Sequence, residues 1–280
     1  MNYENAPIRV AILDMYEGVD NQGMRCLREI LNQFAEMNGK ELVKDEFNVR
    51  QINELPDLSY DIYLCSGGPG SPLESKGSHW ENDFFAWIKN TEEYNRAEEN
   101  IIKKQVFFIC HSFQLACRYF DIAEVTKRKS TAFGVFPIHY LADANKDPIF
   151  AGLTDPFYAV DSRDYQVTQP KHNRLKHIGG SILAIEKNRP HIPLERAIMS
   201  IRFNENMVGT QFHPEADAIG MSMYLQRPER KQIVVENHGE EKWESMIKHL
   251  GDPDKIAHTY AHILPNFLNN AVRKMELVEV

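Results

Sequence analysis

The sequence has little of what usually settles a function at sight. Its 280 residues include only four cysteines, Cys26, Cys65, Cys110 and Cys117, none in a C-x-x-C pair or other metal-ligand spacing. A chain this long needs no disulfide framework, so reduced thiols, no metal and a cytoplasmic setting are expected. No window approaches the roughly 18 consecutive apolar residues of a membrane span, and MNYENAPIRVAILDMYEG lacks the cationic leader and apolar core of a secretory signal. Basic residues are in the minority, 32 Lys and Arg against 40 Asp and Glu for a net charge of -8. A nucleic-acid partner is therefore not expected, because such proteins concentrate cations to displace counterions. The densest basic run, KRK at 127–129, reads as a solvated helix end or loop. There is no internal repeat, no low-complexity tract and no dividing linker, and one domain spanning 1–280 is expected.

What is present is an ordinary globular composition, 42% hydrophobic and 26% charged, enough for a sizeable core. IRVAILDM (8–15) reads as a buried strand, and GMRCLREILNQFAEM (23–37) follows with apolar residues at helical spacing. FNVRQI (47–52) and YDIYLCSGG (60–68) read as strands, 84–101 as a helix, QVFFIC as a strand and SFQLACRYF as a helix. Strands alternating with helices predict an α/β fold, a mainly parallel central sheet covered by helices on both faces. From about 131, TAFGVFPIHYL, SILAIEKN, RAIMSIRF and MVGTQF are strand-like with short polar turns, which predicts antiparallel additions. The tail from 217 to 280 is helix-rich and charged, an extension to a core of about 8–216. Trp80, Phe84, Phe85 and Trp87 would suit a lid or a homo-oligomer contact, and packing of a helix on the sheet explains them more simply.

Three segments carry chemistry. Cys110 sits where a buried strand changes to a helix, and such a turn can present a sulfur while the helix N-terminus favours a thiolate and offers N–H donors to an oxyanion. Taken alone, a cysteine after FFI is more simply a core filler, and the adjacent His111 is poorly placed to serve it as a base. SGGPGSP (66–72) follows a predicted strand and lets backbone amides approach a ligand closely. It lacks the lysine and hydroxyl of a nucleotide P-loop. In GTQFHPE (209–215), Pro214 separates His213 from Glu215, and an imidazole oriented by a carboxylate is what a cysteine needs as proton acceptor and donor.

Taken together and in this order, the three segments resemble those of the class I, or triad, glutamine amidotransferases. SGGPGSP looks like the oxyanion loop, ICHSFQ like the nucleophile segment G-[IV]-C-x-G-x-Q, and GTQFHPE like the signature G-x-Q-F-H-P-E. The likeness spans about residues 8–216 and is closest to stand-alone proteins related to the amidotransferase part of GMP synthetase. It implies a flavodoxin-like three-layer fold, Cys110 as nucleophile, His213 as general base and acid, and Glu215 as the group orienting His213. The amides of Gly68 and His111 would form the oxyanion hole. Gly67, Gln114, Ser162, Arg163, Asp164 and Tyr165 would bind substrate, the last four within YAVDSRDYQV, which resembles the family's S-H-G-D-x-V. The implied reaction cleaves the side-chain amide of glutamine or a related γ-glutamyl compound through a Cys110 thioester, with no cofactor. A separate synthetase subunit would receive the ammonia, or the protein is a free-standing hydrolase.

The sequence departs from the family at the elbow. Phe108 stands where a small residue is usual, Ser112 replaces a glycine and Phe113 a histidine or methionine. Arg163 stands where many relatives have histidine, with two readings open: an inward guanidinium gripping a carboxylate in two-point fashion, or an exposed loop residue. Two other functions stay open, an acyltransferase of related fold and a non-catalytic member that binds a metabolite or partner through an altered elbow.

Overall fold

A computed structural model describes residues 6–141, 144–190, 193–250 and 252–278. Three apolar runs form its centre: β1 (Ile8–Asp14), β3 (Ile62–Cys65) and β4 (Gln105–Ile109) lie parallel, with Val10 beside Ile62 and Cys65 beside Phe108. Their largely apolar and buried sequences suit strands covered on both faces. β9 (Met207–Thr210) joins parallel to β4, setting Phe108 beside Gly209 and Ile109 beside Thr210. The C-terminal ends of β3, β4 and β9 therefore lie side by side, and the three motif segments leave the sheet at one edge, where ligands of such sheets bind.

The remaining strands complete the nine-stranded order β2-β1-β3-β4-β9-β8-β7-β5-β6. β2 (Leu42–Asn48) is the parallel edge, while β5 (Glu124–Tyr140), β6 (Phe157–Thr168), β7 (Ser181–Glu186) and β8 (Ile198–Asn204) pair antiparallel, as the sequence predicts from 131 onward. The sheet curls so far that β6 returns to the segment after β9, where the His213 amide donates to Val160 O at 2.8 Å. This curl places 160–165 opposite the end of β4.

Helix α1 (Gly23–Asn38) buries Leu27, Ile30, Leu31 and Phe34 on one sheet face. In chain order, α2 (Val49–Ile52) is a single turn, and α3 (His79–Arg96) and α4 (His111–Tyr119) cover the opposite face with Phe84, Trp87, Phe113 and Leu115. Packing on the sheet, the simpler of the two explanations, thus accounts for Phe84 and Trp87. α5 (His172–His177) is a short connector, and α6 (Ala218–Leu225), α7 (Pro228–His238) and α8 (Glu240–Leu250) build a third apolar cluster against Val160. α9 (His258–Glu276) returns to the α1 face, where Ile263, Leu264, Phe267 and Leu268 join the main core. Among the described residues no helix is long and apolar enough to cross a membrane.

Three elements differ from their expected positions. β5 starts at Glu124, so KRK at 127–129 lies within a strand and is neither a helix end nor a loop. FNVRQI is not one strand: β2 pairs only as far as Asn48, whose side chain accepts the Gln51 amide and starts the α2 turn. The helix expected at 84–101 lies five residues earlier. Ser78 caps its start by accepting the Glu81 amide, and Asn95 ends it by bonding both Lys104 N (2.7 Å) and Lys104 O (2.8 Å), which turns the chain into β4.

Candidate active site

Cys110 connects β4 to α4 with φ 47° and ψ -94°, a left-handed excursion costly for a side-chain-bearing residue. It persists because both ends are tied, the Cys110 amide to Thr210 O (2.8 Å) and Cys110 O to the Gln114 amide (3.0 Å). Ser112 is the reason the elbow tolerates a hydroxyl where glycine is usual. Its Oγ accepts the Ile109 amide (2.8 Å) and lies 2.8 Å from Cys65 O, binding the turn to β3.

Phe108 fits for a different reason. Its ring packs edge-on against Phe84 and Phe203, with centroids 6.5 and 5.6 Å away. Room beside the Phe108 Cβ comes from the signature glycine on the neighbouring strand: a Cβ on Gly209 would lie 2.8 Å from Phe108 O, 3.0 Å from Phe108 Cβ and 2.9 Å from Phe113 Cδ2. Phe108→Ala is therefore expected to empty a packed site, not to restore a family-like elbow. A loss of about 3–5 kcal/mol in urea unfolding is the expected result.

His213 Nδ1 lies 2.7 Å from Glu215 Oε1, and Glu215 is buried, its Oε2 without a partner among the described residues. Burial disfavours the imidazolium, but the Glu215 carboxylate and the Cys110 side chain outweigh it and hold the His213 pKa well above the usual histidine value. The ring rests on the glycine loop, where a Cβ on Gly67 would come within 2.7 Å of His213 Cε1. The next glycine is closer still to its neighbour, since a Cβ on Gly68 would lie 2.3 Å from Met15 O. Arg50 locks this contact by donating from Nη1 to Met15 O (3.0 Å) and Pro69 O (2.7 Å) and from Nη2 to Glu17 (2.7 Å). Burial lowers its guanidinium pKa. Sequence reasoning missed Arg50 because it lay within an expected strand.

The amides of Gly68 and His111 have no bonded acceptor among the described residues. The His111 imidazole points away from water. Burial first, then the positive charges of Arg50 and Arg118, push its pKa down to about 3. A histidine whose folded value is depressed adds stability above its unfolded value near 6.5 and loses it as pH falls toward the folded value. Between pH 6 and 4, His111→Gln should lose stability less steeply than the wild type, by roughly 1 kcal/mol per pH unit, in parallel urea titrations.

The other expected substrate contacts divide. Gln114 is buried, its Nε2 donating to Gln211 Oε1 (3.0 Å), while Gln211 Nε2 lies 3.6 Å from Cys110 Sγ. Gln211, inside the GTQFHPE motif, was given no role from sequence and is the side-chain amide beside the sulfur. Ser162 O lies 3.8 Å from Cys110 Sγ, Tyr165 is half-buried and Asp164 is exposed, accepting the Thr131 hydroxyl. Arg163 is not an exposed loop residue: its side chain is buried on β6, with Nε 2.9 Å from both Asp161 oxygens and Nη2 3.1 Å from Glu186. Only its Nη1 has no partner among the described residues. A cleft of about 780 Å³ is lined by every expected site residue except Gly67, which lies beneath His213. Among the described residues no group of three or more His, Cys, Asp or Glu side chains could hold a metal ion.

The family model described as "Glutamine amidotransferase class-I" matches residues 11–225. Among solved structures, a glutamine amidotransferase from Thermotoga maritima superposes with a TM-score of 0.66 at 15% identity, covering 95% of this chain and 98% of that one. A putative GMP synthase subunit from Thermoplasma acidophilum gives 0.56 at 14% identity, covering 98% of each chain. The glutaminase domain of Trypanosoma brucei CTPS with bound acivicin gives 0.56 at 12%, covering 95% of this chain and 94% of that one. No curated protein matches significantly. At these identities the structural likeness speaks for the fold.

Proposed function

The chain belongs to the class I glutamine amidotransferase family, and on that premise we propose that it hydrolyses a γ-glutamyl amide through a thioester on Cys110. The observation that carries the reading is the left-handed turn at Cys110 beside a His213–Glu215 pair 2.7 Å apart. The Cys110 thiol has given its proton to His213 and attacks the side-chain carbonyl carbon as the thiolate. The amides of Gly68 and His111 take the oxyanion, and Glu215 keeps Nδ1 of His213 engaged so that Nε2 handles the proton. His213 returns that proton to the departing nitrogen, the C–N bond breaks, and water activated by His213 cleaves the thioester to release glutamate. Gln211 and Gln114 brace the sulfur, and the backbone of Ser162 flanks the amino-acid end of the substrate.

The test is intact mass after incubation with a glutamine-analogue electrophile such as diazo-oxo-norleucine. One adduct per chain, lost in Cys110→Ser, is expected. Absence of the adduct in folded protein whose thiols still react with a general reagent would sink the reading and favour a binding role.

A further inference from the structure

The segment that carries Gly68 is pinned at points that sheet pairing does not supply. Residues 66–72 leave β3, and the pairing of Cys65 with Phe108 fixes only the start of the loop. The Ser112 hydroxyl of α4, 2.8 Å from Cys65 O, reinforces that start. At the far end Arg118, also on α4, donates from Nη1 to Pro72 O at 2.5 Å, and Arg50 holds Pro69 O between them at 2.7 Å. The loop is thus fastened to the nucleophile helix at both ends. Arg118 lies seven residues after His111, two helical turns on, and therefore on the same face of α4. The buried His111 ring feels the positive charges of both Arg50 and Arg118.

The Arg118 guanidinium is itself aimed by α3. Glu81, in the first turn of α3 and with only 2% of its side chain exposed, accepts from both Nη1 (2.6 Å) and Nη2 (2.9 Å) of Arg118 and from the Ser75 hydroxyl (2.5 Å). Such a two-point grip sets the plane of a guanidinium. Phe85, one turn further along α3, lies 5.7 Å from Arg118, and Trp80 lies 5.3 Å from Arg50, distances at which a ring face attracts a cation. These two rings are only partly buried against the sheet, and covering the arginines gives them a place that packing on the sheet alone does not.

A buried ion pair adds little to stability once desolvation is counted, and apolar side chains of similar volume often serve as well. What apolar side chains cannot supply is the third bond, from Arg118 to Pro72 O. We propose that Arg118, oriented by Glu81, is a positioning residue for the oxyanion hole: it holds loop 66–72 against α4, so that the Gly68 amide keeps a fixed separation from the His111 amide. The inference rests on the assignment of those two amides as the oxyanion donors, and it extends the site to two side chains outside the three motif segments.

Removing Arg118 alone would strand the buried Glu81 carboxylate, so the test replaces the pair together, Glu81→Met with Arg118→Met, and uses Arg118→Lys as a second variant that keeps the charge but not the fork. Two rates are compared with the wild type in folded protein: L-glutamine hydrolysis, and alkylation of Cys110 by iodoacetamide, read as adduct mass on the Cys110 peptide. Alkylation attacks a saturated carbon and forms no oxyanion, so it reports the thiolate without the hole. The double variant should lower kcat by about tenfold or more, with KM within about threefold and the alkylation rate within about twofold, and Arg118→Lys should shift kcat alone in the same direction by a smaller factor. An unchanged kcat in both variants would overturn the inference and leave the pair as packing. Hydrolysis and alkylation falling together would overturn it too, by placing the damage at the thiol. A wild type that neither hydrolyses glutamine nor takes the glutamine-analogue electrophile would overturn the hydrolase reading and this inference with it.

Discussion

Replacing Cys110 by alanine is expected to abolish amide hydrolysis, lowering kcat on the order of 10⁴-fold or more while the fold and its unfolding midpoint are largely kept. The size follows from the proposed covalent mechanism: without the sulfur no acyl-enzyme could form, and an oxyanion hole with bound substrate would give only the residual rate. The four cysteines are not equivalent candidates. Burial holds the Cys65 and Cys117 thiols well above their usual range, and it pushes Cys26 up to about 12 despite the nearby Arg25. Cys110 alone among them has the left-handed backbone and stands beside Gln211 and His213 in the cleft. Cys117→Ala, deep in the opposite-face core, is the matched control and should change kcat by less than about threefold. Retention of more than a few per cent of wild-type kcat in Cys110→Ala would rule out the thioester.

The parts legible from sequence were those where one local pattern serves both fold and site. QVFFIC and YDIYLC announce themselves as buried strands, and each ends in its functional segment, so the sheet order brings Gly68, Cys110 and His213 to one edge. Edge and curl were harder. β2 reads LVKDEFN because its faces are largely exposed, which removes the apolar run that marks the other parallel strands. The α3 boundaries depend on the Ser78 cap and the Asn95 bonds to Lys104, side-chain events that periodicity does not register. Arg163 could not be placed because its two carboxylate partners are Asp161, two residues away, and Glu186, on another strand. How Phe108 is accommodated depends on the rings of Phe84 and Phe203 and on Gly209 across the β4–β9 register, contacts that are a property of the folded sheet.

Gly68→Ala is expected to lower kcat by about a hundredfold or more with a much smaller change in KM, because one oxyanion donor is displaced. The added Cβ would come within 2.3 Å of Met15 O and 3.0 Å of Met15 C, both backbone atoms, so no side-chain rotation relieves the contact. Met15 cannot retreat easily: its amide donates to Ser66 Oγ (2.9 Å), its carbonyl accepts from Arg50 (3.0 Å), and its side chain is fully buried. The loop must move instead, carrying the Gly68 amide off the position proposed for it in the oxyanion hole. A backbone donor that has shifted by a fraction of an ångström binds the ground-state carbonyl almost as before and the tetrahedral oxyanion much less well, which is why the loss should appear in kcat. Gly77→Ala separates this from general loop damage. Its φ of 81° penalises a side chain as well, but nothing lies within 4 Å of the added Cβ, so stability should fall modestly and kcat stay within about threefold. A Gly68→Ala protein that turned over as fast as Gly77→Ala would remove Gly68 from the oxyanion hole and leave His111 as the donor to be tested.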